Sequence, residues 1–206
     1  MLFGPKTIEE RDSKFSGRIR VVSTFGYKYI ATGILTQSGG LVKDVWEDTL
    51  KKFGRKQKTW LVLGLAGGTI AKCVSDRLEP KKIVGVEIDP VMVELGLKYL
   101  DLNNIPSLEI ITKDAKQFVS KTTEHFDYIL VDMYFGDQLP SFVYSDTFLK
   151  KLPKIGNIVI FNHLFYDQEK RSKAEELVNK LKNIFPSVIL TRKLTNLLVI
   201  CGPKAI

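Results

Sequence analysis

Cysteine and histidine are scarce in this chain of 206 residues, which has two of each. Cys73 and Cys201 both lie inside apolar patterns, so we expect buried free thiols rather than a disulfide, as is usual in a reducing cytoplasm. His125 and His163 are far apart in the sequence, and no cluster of cysteines and histidines occurs. The sequence therefore predicts a cytoplasmic protein without a metal site.

Long apolar runs are missing too. No stretch reaches the roughly 18 apolar residues that a membrane helix needs. The opening residues, Met-Leu-Phe-Gly-Pro-Lys, lack the apolar core of a secretory signal, so we expect neither export nor a membrane partner. With 44% apolar and 26% charged residues, the composition is typical of a globular protein, and the length suits one domain with a small appendage.

Acidic residues are the minority, and the net charge is +8. Most of the excess lies in residues 1–60, where 12 Lys and Arg stand against 6 Asp and Glu. A basic segment of this kind can bind RNA, but the sequence has neither an RGG run nor a recognised nucleic-acid-binding motif. We interpret it as a solvated lysine-rich surface, which makes nucleic acid an unlikely partner.

The chain divides into a small amino-terminal part and a main domain. Residues 17–36 are rich in β-branched and aromatic residues around a turn at Phe25-Gly26, which predicts a hairpin. Apolar residues at helical spacing predict a helix over residues 41–53. We therefore predict an extension over residues 1–58 and a Rossmann-like cofactor-binding domain over residues 59–206.

Strand-like and helix-like segments alternate through the main domain. The predicted strands are 59–64, 82–87, 107–112, 126–132, 156–161, 186–191 and 195–201. The predicted helices are 68–78, 90–102, 114–121, 142–152 and 167–184. Alternation of this kind predicts a parallel sheet covered by helices on both faces.

The last two predicted strands are joined by Arg192-Lys193-Leu194, which is too short for a helical crossover. The last strand must therefore pair antiparallel. We predict an α/β protein with a methyltransferase-type Rossmann fold, in which a seven-stranded, mostly parallel sheet has an antiparallel last strand. A small β-hairpin and a helix precede it.

Glycines follow the first strand of that sheet, at Gly64, Gly67 and Gly68. Glu87 lies about 20 residues further on, at the end of the next strand, where a carboxylate can accept hydrogen bonds from a ribose diol. This layout predicts a nucleoside-binding βαβ unit. Glu87 could instead cap the next helix, although Asp89 is better placed for that role.

Two further acids end strands at the same edge of the sheet. Asp114, followed by Ala115, can reach an adenine amino group or cap the next helix, and both interpretations stay open. Asp132 ends a very apolar strand, and ligands of open α/β sheets bind beyond the carboxyl ends of the strands. We predict that Asp132 is catalytic and that loop 133–140 is a substrate lid. Its contact candidates are Tyr134, Phe135 and Asp137.

Together these residues resemble the spermidine synthase (polyamine aminopropyltransferase) family, within the larger class of S-adenosylmethionine-dependent methyltransferase folds. The segments that carry the resemblance are Leu35-Thr-Gln37, Trp46-Glu47-x-x-Leu50, Val86-Glu-Ile-Asp-Pro90, Asp114-Ala115, Phe126-Asp-Tyr-Ile-Leu-Val-Asp132 and Phe142-Val-Tyr-Ser-Asp-Thr-Phe148. The resemblance covers about residues 17–201 and implies S-adenosylmethionine or its decarboxylated form as cofactor. The cofactor residues that it implies are Gly64, Ala66, Gly67, Gly68, Glu87, Ile88, Asp114, Ala115 and Asp132. The substrate residues that it implies are Gln37, Glu47, Tyr134, Phe135 and Asp137.

The chain departs from the family pattern where the reaction is decided. Ala66 stands where the family has an aspartate that holds the aminopropyl nitrogen of the decarboxylated donor. Phe135 and Gly136 replace a second aspartate and a proline, and residues 38–42 replace an acidic stretch. A buried ammonium without a partner costs several kcal/mol, so these losses argue against efficient polyamine binding.

We therefore expect a transferase that moves a methyl group to a small-molecule acceptor such as an amine, with Asp132 orienting or deprotonating the nucleophile. The first alternative is aminopropyl transfer to putrescine or cadaverine, with Asp137 or Glu47 anchoring the amine. The others are a non-catalytic member kept as a binding module, and an RNA methyltransferase. Relatives of this type are often dimers or tetramers, so a homodimer is also expected.

Overall fold

The computed structural model describes residues 4–204. Their strands are β1 (Lys6–Ser13), β2 (Gly17–Thr24), β3 (Tyr27–Thr32), β4 (Leu35–Ser38), β5 (Thr59–Leu63), β6 (Lys82–Glu87), β7 (Leu108–Thr112), β8 (Phe126–Val131), β9 (Gly156–Leu164), β10 (Ser187–Lys193) and β11 (Asn196–Gly202). Their helices are α1 (Leu41–Phe53), α2 (Thr69–Leu78), α3 (Pro90–Tyr99), α4 (Ala115–Lys121), α5 (Asp146–Ile155) and α6 (Gln168–Lys182). The first three residues of the opening segment, for which no secretory signal is predicted, lie outside the described part.

The amino-terminal part is an antiparallel sheet in the order β1-β2-β3-β4 over the described residues. The predicted hairpin is confirmed, because β2 and β3 pair from Ile19↔Thr32 to Thr24↔Tyr27 around the turn at Phe25-Gly26. Strand β1 was not predicted from the sequence. That strand reads Lys-Thr-Ile-Glu-Glu-Arg-Asp-Ser and lies at the edge of the sheet with most of its side chains exposed, so it lacks the apolar alternation of a half-buried strand.

Helix α1 has the predicted bounds and lies against α2 of the main domain. Its buried side chains are Val45, Trp46, Thr49, Leu50 and Phe53, which recur at helical spacing and form one face. A small apolar cluster joins β2 and β3 to α3 through Ile19, Val21, Ile30, Met92 and Leu95. The amino-terminal sheet is therefore packed on the main domain beside the carboxyl end of β6.

The main sheet runs β10-β11-β9-β8-β5-β6-β7 within residues 4–204. The pairs β9-β8, β8-β5, β5-β6 and β6-β7 are parallel, whereas β11 runs antiparallel to both β9 and β10. The predicted methyltransferase-type Rossmann topology is confirmed. Large apolar cores cover both faces of the sheet.

Three helix ends differ from the predictions by three residues or more, and one of them is the end of α5, at Ile155 instead of residue 152. Helix α3 ends at Tyr99, and a 3₁₀ turn, Leu102–Asn104, follows it after Asp101, whose φ of 55° cannot continue a helix. Helix α5 begins only at Asp146, because Ser145 caps it with its hydroxyl. Among the described residues, none of the helices is both long and apolar enough to cross a bilayer.

Candidate active site

The carboxyl ends of four parallel strands meet at one cavity. Gly64 follows β5, Glu87 ends β6, Asp114 follows β7 and Asp132 follows β8, and all four line the same space. We call it the first cavity. Its remaining wall residues are Ser16, Thr32, Gln37, Ala66, Ile88, Met92, Ala115, Met133, Tyr134, Phe135, Gly136, Pro140 and Phe142.

Gly64 allows the chain to pass very close to Asp132. Its φ is 89°, and a Cβ at this position would lie 2.1 Å from the backbone carbonyl oxygen of Asp132. Only glycine tolerates both the positive φ and the close approach. The glycine turn and the loop after β8 are thereby held against each other at the cavity wall.

Gly67 and Gly68 belong to the same turn but do not line the cavity. The backbone N–H of Gly67 donates to Ser38 Oγ at 2.8 Å, which ties the turn to the amino-terminal sheet. Gly68 has a φ of 92° and packs against Leu102, whose Cδ1 would be 2.2 Å from an added Cβ. Its N–H donates to Leu65 O at 2.9 Å. Neither amide is therefore directed at a ligand.

Ala66 stands at the apex of the turn, with a φ of 45° that side chains other than glycine adopt rarely. Its N–H donates to Glu87 Oε2 at 2.7 Å, which holds the residue in this conformation. Ala66 lines the cavity, and its side chain is a methyl group where the resemblance implied a carboxylate.

Glu87 is buried, with 8% of its surface exposed, and its carboxylate accepts hydrogen bonds from three backbone amides. The donors on its Oε1 are the N–H groups of Ile88 and Asp89, at 2.8 and 2.9 Å. Burial raises the pKa of Glu87, and the three amides oppose that rise. The capping role belongs to Asp89, which accepts from the N–H of Val91 at 3.0 Å.

Asp114 caps α4 and also lines the first cavity. The N–H groups of Lys116 and Gln117 donate to its Oδ1 at 2.7 and 3.2 Å. Both cap bonds use one oxygen, so Oδ2 keeps its capacity to accept from a ligand. The two interpretations of Asp114 are therefore compatible.

Asp132 is held by two side-chain donors from opposite sides. The indole Nε1–H of Trp46 donates to Oδ2 at 2.9 Å, and the amide Nδ2–H of Asn162 donates to Oδ1 at 2.9 Å. Desolvation by the surrounding protein raises the pKa of Asp132 to about 6, although both donors lower it. The group is a carboxylate of fixed orientation that can exchange a proton near neutral pH.

Asn162 is itself held by Asn196, whose Nδ2–H donates to Asn162 Oδ1 at 2.8 Å. The sequence reading missed Trp46 and Asn162 as partners of Asp132. Asn162 lies in β9, near the carboxyl end of that strand and at the same sheet edge, so the rule that pointed to Asp132 could also have found it. Its pairing with Asn196 depends on strands 34 residues apart and leaves no local signal.

Three of the five predicted substrate residues lie in the wall of the first cavity, and two do not. Gln37, Tyr134 and Phe135 line the first cavity. The hydroxyl of Tyr134 donates to Asn162 O at 2.9 Å and accepts from the N–H of Leu164 at 2.9 Å, so it fastens loop 133–140 to β9. Gln37 donates through Nε2 to Thr32 Oγ1 at 2.8 Å.

Glu47 and Asp137 do not line the first cavity. Glu47 forms an ion pair with Arg77 of α2 at 3.0 Å. Asp137 pairs with Lys170 of α6 at 2.8 Å and accepts from Tyr166 Oη at 2.8 Å. Both carboxylates are therefore engaged away from the site.

His163 lies inside β9 and is 2% exposed. Its Nε2 shares a hydrogen bond of 2.8 Å with the hydroxyl of Tyr144, and burial lowers its pKa. It does not line the first cavity.

A second cavity of about 370 Å³ continues from the first. The residues common to both are Gln37, Gly64, Ala66, Asp132, Tyr134 and Gly136. Asp132 therefore stands where the two cavities meet. The second cavity reaches the surface between α1, the β3–β4 turn and the β10–β11 turn.

Relatives of this chain include both methyltransferases and aminopropyltransferases. An eEF1A lysine and N-terminal methyltransferase homolog of Drosophila pseudoobscura pseudoobscura is 30% identical over 142 residues, which are 64% of this chain and 21% of the relative. A polyamine aminopropyltransferase of Vibrio vulnificus is 24% identical over 127 residues, 57% of this chain and 42% of the relative. The chain thus spans less than half the length of these relatives.

Solved structures agree with the fold. A spermidine synthase in complex with the transition state analogue AdoDATO superposes with a TM-score of 0.80 at 16% identity, covering 98% of this chain and 74% of that one. Human methyltransferase-like protein 13 in complex with SAH gives 0.61 at 22% identity, covering 79% and 78%. The family model for the spermine/spermidine synthase domain matches residues 49–202. The chain therefore belongs to the spermine/spermidine synthase domain family.

Proposed function

We propose that the protein is a transferase that uses S-adenosylmethionine to methylate an amine. The observation that carries this proposal is the meeting of two cavities at Asp132, the one carboxylate that both share among the described residues. One cavity has the acids of a nucleoside site, and the other opens to solvent. A donor and an acceptor could therefore approach each other at Asp132.

The residues of the first cavity fit a nucleoside. A carboxylate has about four lone-pair sites, and the three amides that bind Glu87 leave it capacity for a hydroxyl donor such as a ribose diol. Asp114 Oδ2 can accept from an adenine amino group in the same way. Met92 and Phe142 supply apolar wall for the base.

The choice between the two donors rests on the charge of the donor tail. The amino-acid tail of S-adenosylmethionine has one positive and one negative group, so it has no net charge to neutralise. The aminopropyl tail of the decarboxylated donor has an ammonium alone, which needs a carboxylate when it is desolvated. Ala66 offers a methyl group at this point of the wall, and Glu47 and Asp137 are engaged elsewhere. These contacts favour the carboxylated donor.

The donor supplies a methyl group bonded to a positively charged sulfur. An amine that binds as its ammonium form must lose one proton before its nitrogen can attack, and the Asp132 carboxylate can accept that proton because its pKa is raised to about 6. In the transfer the nitrogen would form a bond to the methyl carbon as the carbon–sulfur bond breaks, and the sulfur would keep its electron pair. Trp46 and Asn162 fix the carboxylate for this transfer, and Tyr134 lines the junction.

Comparison of the two donors tests the proposal. Calorimetry should show tighter binding of S-adenosylmethionine and S-adenosylhomocysteine than of the decarboxylated donor. Tighter binding of the decarboxylated donor, with transfer of its aminopropyl group, would establish the alternative instead. That alternative has support in Gln37 and Asp132, which the family resemblance implied for polyamine synthesis and which line the site.

A non-catalytic binding module is a weaker proposal, because the protein fixes Asp132 with two dedicated donors. A reducing cytoplasmic location is part of our proposal, since Cys73 and Cys201 are buried free thiols. A homodimer and the absence of a role in RNA binding stay predictions.

A further inference from the structure

The second cavity has fewer negative charges than a polyamine, with its several ammonium groups, would need. Among the described residues that line it, Asp132 is the one charged side chain. Its polar companions near the junction are Gln37, Asn162 and Tyr134, which are neutral. A ligand in this cavity therefore meets a single negative charge at the inner end.

Apolar side chains line the cavity from the junction to the mouth. They are Ile34, Leu35, Leu41, Val42, Val45, Leu65, Ile70, Leu164 and Leu194. Three of them form the mouth and are exposed: Ile34 by 99%, Leu41 by 62% and Leu194 by 54%. They come from the β3–β4 turn, the first residue of α1 and the β10–β11 turn, so the apolar rim is assembled from separate segments.

Two acids of α1 near the mouth are neutralised by their own partners, and a third, Asp44, lines neither cavity. Asp48 of α1 forms an ion pair with Lys193, beside Leu194, and Glu47 pairs with Arg77. A second ammonium on a ligand would therefore be desolvated along an apolar wall without a carboxylate to receive it, which is unfavourable.

From these contacts, and resting on the proposed function, we propose that the second cavity selects a primary amine with a single positive charge on an unbranched apolar stem. The nitrogen is placed at Asp132 and the stem lies along Val42, Val45 and Leu65. The same chemistry occurs in a free alkylamine and in the side chain of a lysine. Diamines and longer polyamines are excluded by the missing second carboxylate.

Two amines of equal length test this selection. n-Pentylamine and cadaverine have the same five-carbon stem and differ in the second ammonium. Calorimetric titration of the wild-type protein, with and without saturating S-adenosylhomocysteine, should show n-pentylamine binding at least about 10-fold more tightly. Cadaverine binding as tightly or more tightly would overturn the inference, as would failure of both amines to bind.

A negative charge placed at the mouth should weaken the preference for n-pentylamine over cadaverine. Leu41→Glu adds a carboxylate at the rim, at the first residue of a helix where an acid is tolerated. We expect it to reduce the ratio of the dissociation constant of cadaverine to that of n-pentylamine at least about fivefold. Leu190→Glu is the matched control, because Leu190 is 47% exposed on β10 and lines neither cavity. An equal change of the ratio in both variants, or no change in Leu41→Glu, would contradict the inference.

The nucleoside titration keeps the two proposals apart. Binding of S-adenosylhomocysteine together with a preference for cadaverine would overturn the amine selection and leave the donor site standing. Absence of nucleoside binding would overturn the proposed function, while the amine ratio would still be measured in the free protein. Nα-acetyl-lysine amide distinguishes the sources: tighter binding than n-pentylamine identifies a protein lysine, and weaker binding identifies a free alkylamine, both within the proposed class.

Discussion

Trp46 donates its indole Nε1–H to Oδ2 of Asp132 at 2.9 Å, and so joins helix α1 to the carboxyl edge of the main sheet. The indole is fully buried, which shields this bond from water. Hydrogen bonding to the charged form of a carboxylate lowers its pKa. The amino-terminal part of the chain therefore contributes directly to the electrostatics of the predicted catalytic residue.

Replacing Trp46 by Phe should move the acid limb of the pH–rate profile to higher pH. The pKa of Asp132 is about 6 with the bond in place, and the carboxylate must be ionised to accept a proton, so activity should fall as the pH decreases through about 6. Without the indole donor the charged form is less stable, and we expect the midpoint to rise by about one unit. The measurement is kcat/KM against pH for both proteins.

Trp60→Phe is the control for that substitution. Trp60 is also fully buried, but its Nε1 has no hydrogen-bond partner among the described residues. Its loss should leave the midpoint where the wild type has it. A midpoint that stays near 6 in Trp46→Phe, or moves equally in both variants, would contradict the role of Trp46.

Replacing Ala66 by Asp should improve binding of the decarboxylated donor. The φ of 45° at this position suits Asp and Asn better than Ala, so both variants should fold. The added carboxylate can pair with an aminopropyl ammonium, and we expect at least a roughly 10-fold gain in affinity from this desolvated pair. Ala66→Asn, which is similar in shape but neutral, should gain little. Equal affinities of the Asp and Asn variants in calorimetry would show that Ala66 does not face the donor tail.

Replacing Glu87 by Gln should weaken nucleoside binding. Three backbone N–H groups donate to the two oxygens of Glu87, and a glutamine would present an NH₂ group to at least one of them. We expect S-adenosylhomocysteine to bind at least about 10-fold more weakly and the free energy of unfolding to fall by about 2 kcal/mol. Glu124→Gln, at an exposed ion pair with Lys82, serves as the reference variant in both measurements. Unchanged nucleoside affinity in Glu87→Gln would place the ribose elsewhere.

Replacing Gly64 by Ala should destabilise the protein by more than the cost of a positive φ alone. The new Cβ would lie 2.1 Å from the Asp132 carbonyl oxygen, so the two loops must separate. We expect a loss of at least about 3 kcal/mol in urea unfolding. Gly26→Ala has nearly the same φ, 82°, with nothing within 4 Å of its Cβ, and should cost about 1–2 kcal/mol. Similar losses in both variants would mean that the close approach is not needed.

The sequence predicts those parts of the site that depend on local pattern. Gly64, Glu87, Asp114 and Asp132 each follow or end a strand with a clear apolar run, so their common edge could be inferred from topology. The residue of helix α1 that contacts Asp132 could not be predicted in this way. Consecutive residues on a helix point about 100° apart, and the resemblance did not reveal that Trp46, rather than Glu47, faces Asp132.

Contacts between distant segments could not be predicted from the sequence. Asn162 reaches Asp132 only because β9 lies beside β8, and Asn196 supports Asn162 only because β11 is inserted antiparallel beside β9. Strand β1 was missed for a different reason. Its exposed, charged sequence has no apolar face, and its place in the sheet depends on pairing with β2.

The most direct measurement is methyl transfer by Asp132→Asn, assayed with whichever of n-pentylamine, cadaverine or Nα-acetyl-lysine amide the wild type methylates fastest. The variant keeps the shape of the side chain and removes the proton acceptor at the junction of the two cavities. We predict turnover at least about 100-fold lower, with S-adenosylhomocysteine binding within about threefold of wild type. Turnover equal to that of the wild type, or a wild type that methylates none of these amines, would contradict the account.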